Sequence, residues 1–284
     1  MIGNGRVVVV VPALDEELLV GRVVSSMPAF VDRIVVVDDG SGDRTSEAAL
    51  ASGDERVRVL RHAQRRGVGA AITTGYRAAL EEAQGERDVI AVMAGDGQMH
   101  PDDLLAVVTP ILRGEAGYVK GERFTSAAVQ RSMGIPRWIG GQVFSRLTAL
   151  ATGLPITDSQ CGYTAIAAGT LARLDLDGLW RSFGYPNDLL GQLAARGEAV
   201  VEVPVRPVYG AERSKLRLRH LPAIFFLVGR AAIRRRTSRH PAPRPSRHPN
   251  GGHAPGCTPG ARTYADSTGC EPHGPPPPDA ASAP

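Results

Sequence analysis

Cysteine is scarce in this chain. Its 284 residues include only Cys161, Cys257 and Cys270, an odd number with no ligand-like spacing. That argues against a disulfide framework or a structural zinc site and fits a reduced, cytoplasmic setting. Long apolar runs are also missing. No stretch reaches the roughly 18 apolar residues of a spanning helix, so no segment is expected to cross a membrane by itself. No signal peptide is expected, because the valine run after Arg6 stops at Pro12. We find no internal repeat with a period of roughly 20–50 residues. From about Thr237 onward aliphatic residues almost disappear, and Pro, Gly, Ser and His dominate as far as the run Gly274-Pro275-Pro276-Pro277-Pro278-Asp279. Such a composition cannot offset the entropy of ordering, so residues 237–284 are expected to form a disordered tail.

What remains is rich enough to fold. Apolar residues make up 43% of the chain, which supports a sizeable core over most of its length. Arg6 to Val11 reads as a buried strand, and Asp15-Glu16-Glu17 as the acidic opening of a helix that carries Leu18, Leu19, Val23 and Met27. Arg33 to Val37, Val57 to Leu60 and Asp88 to Met93 read as further strands. Helices are expected after Asp43, its N-cap, over Gly67 to Ala83, and over Pro101 to Leu112. The alternation of strand and helix implies a parallel sheet with right-handed crossovers. Beyond Gly114 we expect strands at Tyr118 to Gly121, Cys161 to Ile166 and Val200 to Val205, and helices at Pro136 to Ala151 and Asn187 to Arg196. The fold class is therefore α/β, with residues 1–212 as one domain.

The net charge is only +4, but the cations cluster. Arg213, Lys215, Arg217, Arg219, Arg230, Arg234, Arg235, Arg236 and Arg239 flank the apolar run Leu221 to Val228. That run is too short to span a bilayer. A nucleic-acid partner is one reading of the charge. We prefer an interfacial segment, residues 213–236, at an anionic membrane surface, with no nucleic acid involved. A C-terminal core helix with a basic end is the plain alternative.

Several strand ends carry polar groups, and ligands of open α/β sheets bind at carboxyl ends of strands. Asp96 ends an apolar run between Gly95 and Gly97. With the Gln98 amide oxygen it can hold Mg²⁺ or Mn²⁺ against a phosphate. A turn with a capping Asp is the simpler explanation. Asp38 and Asp39, followed by Gly40-Ser41-Gly42, can accept hydrogen bonds from a ribose or base, or can simply cap a turn. Pro12, Ala13 and Glu16 follow the first strand and can surround a base. Gly69 opens a helix that can approach a phosphate, although the spacing is neither a Walker motif nor a dinucleotide fingerprint. Gln160 lies in the polar stretch Asp158-Ser159-Gln160 before an apolar strand. Asp188 opens a helix, and Arg213 and Lys215 can meet a diphosphate. Cys161 reads as a small buried residue.

The chain resembles family-2 glycosyltransferases of the GT-A fold, in the branch of dolichyl-phosphate mannose synthases and bacterial polyprenyl-phosphate glycosyltransferases. The resemblance covers Arg6 to Arg236 and rests on five blocks in order. These are Val10-Val11-Pro12-Ala13-Leu14-Asp15-Glu16-Glu17, with Asp15 for the usual Asn; Asp38-Asp39-Gly40-Ser41-Gly42-Asp43-Arg44-Thr45; Gly67-Val68-Gly69-Ala70-Ala71; Asp158-Ser159-Gln160-Cys161-Gly162-Tyr163; and Arg213-Ser214-Lys215. It implies a GT-A mixed sheet and an inverting hexose transfer from a nucleoside-diphosphate sugar, GDP-mannose or UDP-glucose, to a polyprenyl or dolichyl phosphate. It further implies a divalent metal. Pro12, Ala13, Glu16 and Asp38 would line the nucleotide, Asp96 and Gln98 would hold the metal, and Arg213 and Lys215 would face phosphates. Asp188 falls where relatives carry an acid near the acceptor. If the acceptor is a phosphate, Asp188 would orient groups or hold a cation. If it is a hydroxyl, Asp188 becomes the natural base. One departure stands out: Ala94 occupies the place of the first acid in the family's D-x-D-x-Q block. The enzyme is expected to sit peripherally on the inner face of the membrane, with a membrane-protein partner or a second copy as possible company. The alternatives are a soluble glycosyltransferase acting on a sugar or metabolite hydroxyl, and a non-catalytic nucleotide-sugar-binding homologue.

Overall fold

The computed structural model describes residues 5–124, 135–208 and 221–237. Among the described residues seven strands form one sheet: β1 (Val7–Ala13), β2 (Arg33–Asp38), β3 (Val57–Arg61), β4 (Val89–Val92), β5 (Tyr118–Glu122), β6 (Thr164–Ala167) and β7 (Val200–Pro204), in the order β3-β2-β1-β4-β6-β5-β7. The first four strands are mutually parallel, with Val9 opposite both Ile34 and Ala91. Strand β6 runs antiparallel to both β4 and β5, and β5 and β7 are parallel. The sheet is therefore mixed, and the parallel arrangement expected of the first half holds there.

Helices cover both faces. They are α1 (Val20–Ser25), α2 (Thr45–Leu50), α3 (Val68–Glu82), α4 (Leu104–Leu112, after a 3-10 turn at Pro101–Asp103), α5 (Ile135–Thr152), α6 (Ala168–Ala172), α7 (Tyr185–Ala195) and α8 (Leu221–Thr237). Alternate residues of a strand point to opposite faces. Val7, Val9 and Val11 thus pack with Val20, Val23, Leu104, Val107 and Ile111, while Val8 and Val10 pack with Ile72, Tyr76, Leu189 and Leu193. Burial on both faces explains why β1 and β2 read as unbroken apolar runs rather than alternating ones.

Three local expectations shift. The first helix begins at Val20, not at Asp15, because Asp15 adopts φ +55 and the amides of Glu16 and Glu17 are drawn to Thr45 and Asp43 instead of into a helix. The N-cap position of α2 is Arg44, and Asp43, one residue earlier, accepts from the Thr45 amide at 3.1 Å. Strand β6 begins at Thr164, because Asp158 gathers the amides of Gln160 and Cys161 into a turn first. Helix α8 packs against α7 and α5, with Leu227 and Ala231 fully buried. Residues 213–220 and those after 237 lie outside the described residues.

Helix α3 lies unusually close to β1. A Cβ on Gly75 would come within 2.2 Å of Val10 Cγ1. The substitution Gly75→Ala is expected to lower stability by about 1–3 kcal/mol through overpacking, read as a drop in the urea midpoint with an unchanged slope.

Candidate functional site

The carboxyl ends of β1, β2, β4 and β5 and the start of β6 share one edge of the sheet, as the strand directions require. Two consecutive carbonyls at the end of β1 organise that edge. Pro12 O accepts from Gly95 N at 3.0 Å, and Ala13 O accepts from Asp39 N at 2.9 Å. The acidic corner after β2 and the Asp96 turn after β4 therefore hang on adjacent residues.

The loops after β1 and β2 are laced together. Asp15 N donates to Ser41 Oγ at 3.0 Å, and Asp15 Oδ1 accepts from Gly42 N at 2.9 Å. Its left-handed backbone suits Asp, which shares the Asn tolerance for that region, so Asp15 serves here in place of the family's Asn. Glu16 N donates to Thr45 Oγ1 at 2.8 Å, and Glu16 is buried.

Asp38 and Asp39 have internal partners. Asp38 is fully buried; its Oδ1 accepts from Ser41 N at 2.8 Å, its Oδ2 from Ser46 Oγ at 2.5 Å, and Arg61 Nε lies 3.6 Å away. Burial pushes its pKa up, but the hydrogen bonds from Ser41 and Ser46, helped by Arg61, outweigh burial and hold it below the ordinary aspartate value. Asp39 accepts from Arg66 N at 2.9 Å and Gly67 N at 2.7 Å, and is bonded to His62 Nδ1 at 2.8 Å. His62 Nε2 reaches Thr74 Oγ1 at 3.0 Å. Asp39 thus fastens the start of α3 to the end of β2. Gly69 sits beneath the 180–181 backbone, where a Cβ would lie 2.0 Å from Trp180 O. Chain packing alone accounts for glycine at that position.

The turn after β4 is tight. Asp96 Oδ1 accepts from Gln98 N at 3.1 Å, with Gly97 at φ +70, so the Asp96 and Gln98 side chains issue from one turn. Gln98 O accepts from Val208 N at 2.9 Å, and Asp103 accepts from Arg206 N and Nε at 2.6 and 2.8 Å. The segment after β7 is thereby tied to the loop after β4. Among the described residues no group of three or more His, Cys, Asp or Glu could hold a metal ion. A Mg²⁺ site commonly uses one or two carboxylates and is completed by substrate phosphates and water. The half-buried Asp96 and the Gln98 amide fit that kind of site, and do not fit an all-protein cage.

The next strand ends give Asp158, noted in the sequence, its partner and add residues the sequence reading passed over. Asp158 is fully buried and accepts from Arg123 Nε at 2.7 Å and Nη2 at 3.0 Å. Lys120 is fully buried, with Nζ donating to Cys161 O at 2.6 Å, and burial lowers its pKa. Glu202 accepts from Thr157 N and Asp158 N at 2.7 and 2.9 Å, and burial raises its pKa. The signal was present: a lysine inside an apolar strand, and Glu122-Arg123 at a strand end like the others. Gln160 Nε2 donates to Ser159 Oγ at 2.9 Å and approaches Asn187 Oδ1 at 3.3 Å, and Cys161 is buried, as expected of a small core residue.

Asp188 is 1% exposed, in the first turn of α7. Its Oδ2 accepts from Arg230 Nη2 at 2.6 Å and Trp180 N at 3.0 Å, and its Oδ1 from Arg234 Nη1 at 2.5 Å. Both guanidinium groups come from α8, a partnership no local pattern in the sequence announces. Arg213 and Lys215 lie outside the described residues.

The model of the family described as "Glycosyl transferase family 2" matches residues 8–167. Among known proteins, the chain is similar to the undecaprenyl-phosphate mannosyltransferase of Micrococcus luteus, at 30% identity over 70% of this chain and 82% of the relative. It is also similar to the UDP-N-acetylglucosamine–dolichyl-phosphate N-acetylglucosaminyltransferase of Methanococcus voltae, at 28% identity over 70% of this chain and 84% of the relative. Among solved structures, glucosyl-3-phosphoglycerate synthase of Mycobacterium tuberculosis, in complex with Mn²⁺, UDP and phosphoglyceric acid, matches with a TM-score of 0.59. Its identity is 24%, over 82% of this chain and 78% of that one.

The lowered pKa of Asp38 has a testable sign. A depressed carboxylate contributes stability that is fully present above the unfolded value of about 3.9 and is lost as pH falls through the folded value. The urea midpoint is expected to fall between pH 5 and pH 2, with a smaller fall in Asp38→Asn, measured by far-UV circular dichroism.

Proposed function

Because the chain belongs to glycosyl transferase family 2 and is a glycosyltransferase, we propose that it moves a hexose, with inversion, from a nucleoside-diphosphate sugar to a polyprenyl phosphate at an anionic membrane surface. UDP-glucose and GDP-mannose are the donors to test first. The observation that carries the choice of acceptor is the state of Asp188. A general base needs an accessible lone pair within reach of the proton it takes. Asp188 has its oxygens on two guanidinium groups and an amide, and is sealed from solvent. An acceptor that is already anionic, such as a lipid phosphate, requires no base. The polyprenyl- and dolichyl-phosphate chemistry in the names of the two relatives points the same way.

In this reading Pro12, Ala13 and Glu16 line the nucleotide, on loops whose shape Asp38 and Asp39 fix. Asp96 and Gln98 hold Mg²⁺ or Mn²⁺, which when bound offsets charge on the leaving diphosphate. Arg213 and Lys215 meet phosphate groups. Ala94 leaves the corner with less negative charge than the family's usual pair of acids. The membrane surface is met by α5 and α8, neither of which carries a carboxylate. Ile139, Val143, Phe225, Phe226 and Ile233 are exposed on them, with Arg146 and Arg236 also exposed. Apolar residues among arginines suit the interface of an anionic leaflet. No helix among the described residues is long and apolar enough to cross a membrane.

A second reading rests on the solved structure: the phosphoglyceric acid in its complex is a small phosphorylated acceptor, which also carries its own charge. The two separate by assay. Calorimetry with each donor is expected to show binding that requires Mn²⁺ or Mg²⁺, and Asp96→Ala is expected to lower transfer to polyprenyl phosphate by about 10²-fold or more. Transfer to phosphoglyceric acid but not to polyprenyl phosphate would favour the second reading.

Flotation with vesicles gives an independent check on the surface. The protein is expected to bind vesicles containing phosphatidylserine, less so at high salt, and Phe225→Ser/Phe226→Ser is expected to weaken that binding. Equal binding to neutral vesicles would count against the anionic surface.

A further inference from the structure

Helix α8 is joined to the edge of the sheet that carries Asp38 by a run of hydrogen bonds linked through short stretches of backbone. Arg230 Nη2 donates both to Asp188 Oδ2 at 2.6 Å and to Gly178 O at 2.8 Å. Asp188 Oδ2 accepts in turn from Trp180 N at 3.0 Å. The Trp180 ring packs against Phe226 of α8, and its Nε1 donates to Phe183 O at 3.1 Å. The next residue, Arg181, accepts through its carbonyl from Ala70 N in the first turn of α3 at 3.0 Å. The Trp180 and Arg181 carbonyls lie so close to α3 that Cβ atoms on Gly69 and Gly67 would sit 2.0 and 2.5 Å from them. Gly67 N then donates to Asp39 Oδ2 at 2.7 Å, and Asp39 N to Ala13 O at 2.9 Å.

Asp188 and Asp39 at the two ends of this run are buried, Gly178 and Arg181 between them are exposed, and the two glycines leave no slack between the 180–181 backbone and α3. A shift of α8 is therefore passed on rather than absorbed. We propose that Asp188 is a positioning residue: it clasps α8 through Arg230 and Arg234 and couples the placement of that helix to the loop that fixes the start of α3, and so to donor affinity. The effect on the donor rests on the functional reading above; the mechanical coupling does not. Contact of α8 with its surface and occupancy of the donor end are then reciprocal, since coupling between two sites acts equally in both directions.

Two measurements on the full chain separate these parts. Hydrogen exchange followed by mass spectrometry is expected to show faster exchange in residues 67–71 in Arg234→Gln, with β1 and β4 unchanged. Arg234→Lys, which keeps the charge, is expected to restore most of the protection. Asp188→Asn gives a second variant, expected to act in the same direction. Titration of UDP-glucose and GDP-mannose with Mn²⁺ is expected to show a Kd for the bound donor raised roughly 5-fold in Arg234→Gln. Under steady state the change should appear in donor KM, with kcat held. Faster exchange confined to α8 and α7, with residues 67–71 as protected as in the unmodified protein, would overturn the coupling. Uniformly faster exchange throughout the sheet would reduce Asp188 to a stability residue and overturn it too. If exchange behaves as expected but neither donor binds the unmodified protein, the coupling stands and the donor reading fails.

Discussion

The parallel pairing of β1 with strands on both sides is the constraint from which the rest follows. Parallel sheets are as a rule covered on both faces, and the valines of β1 are buried on both. With β2 and β4 fixed on either side, the carbonyls of Pro12 and Ala13, the last residues of β1, extend the same pairing past the ends of β2 and β4. They hold the Asp39 and Gly95 backbones in place on either side of β1. A polar edge is thus positioned by an apolar core, and its geometry tightens or loosens with the packing beneath it.

Most acids along that edge are spent on the protein itself. Asp39 gathers amides from the start of α3, Asp103 holds the segment after β7, Asp158 pairs with Arg123, and Asp188 pairs with Arg230 and Arg234. Buried carboxylates in such positions act as anchors for loops that lack regular hydrogen bonding. Removing a partner would leave an uncompensated charge, which costs far more than the pair contributes. Asp96, half-buried on a glycine-flanked turn, accepts from the Gln98 amide within that turn.

The apolar runs and the turn residues made the first four strands and the helices between them legible, because burial on two faces leaves a strong compositional trace. The ends of elements were less so. Asp15 reads as a helix opening by composition, yet its amide and carboxylate are claimed by Ser41 and Gly42 across the loop, a contact that no local pattern encodes. Asp38 and Asp96 were visible as strand-end carboxylates. The internal partners of Asp38, and the burial of Lys120, depend on which strands become neighbours. Asp188 was visible as a helix opening and took a role only from the family resemblance, since its partners lie on a helix whose basic residues read equally well as a surface charge run.

The clasp between Asp188 and α8 also has a consequence for synthesis. Asp188 precedes Arg234 by 46 residues, so during translation α7 leaves the ribosome well before the cations that neutralise its carboxylate. Until they arrive, Asp188 must stay hydrated, and α7 cannot settle fully against the sheet. The ion pairs that close over Asp188 therefore wait on the emergence of α8, and any shortening of the chain that keeps them must end beyond Arg234.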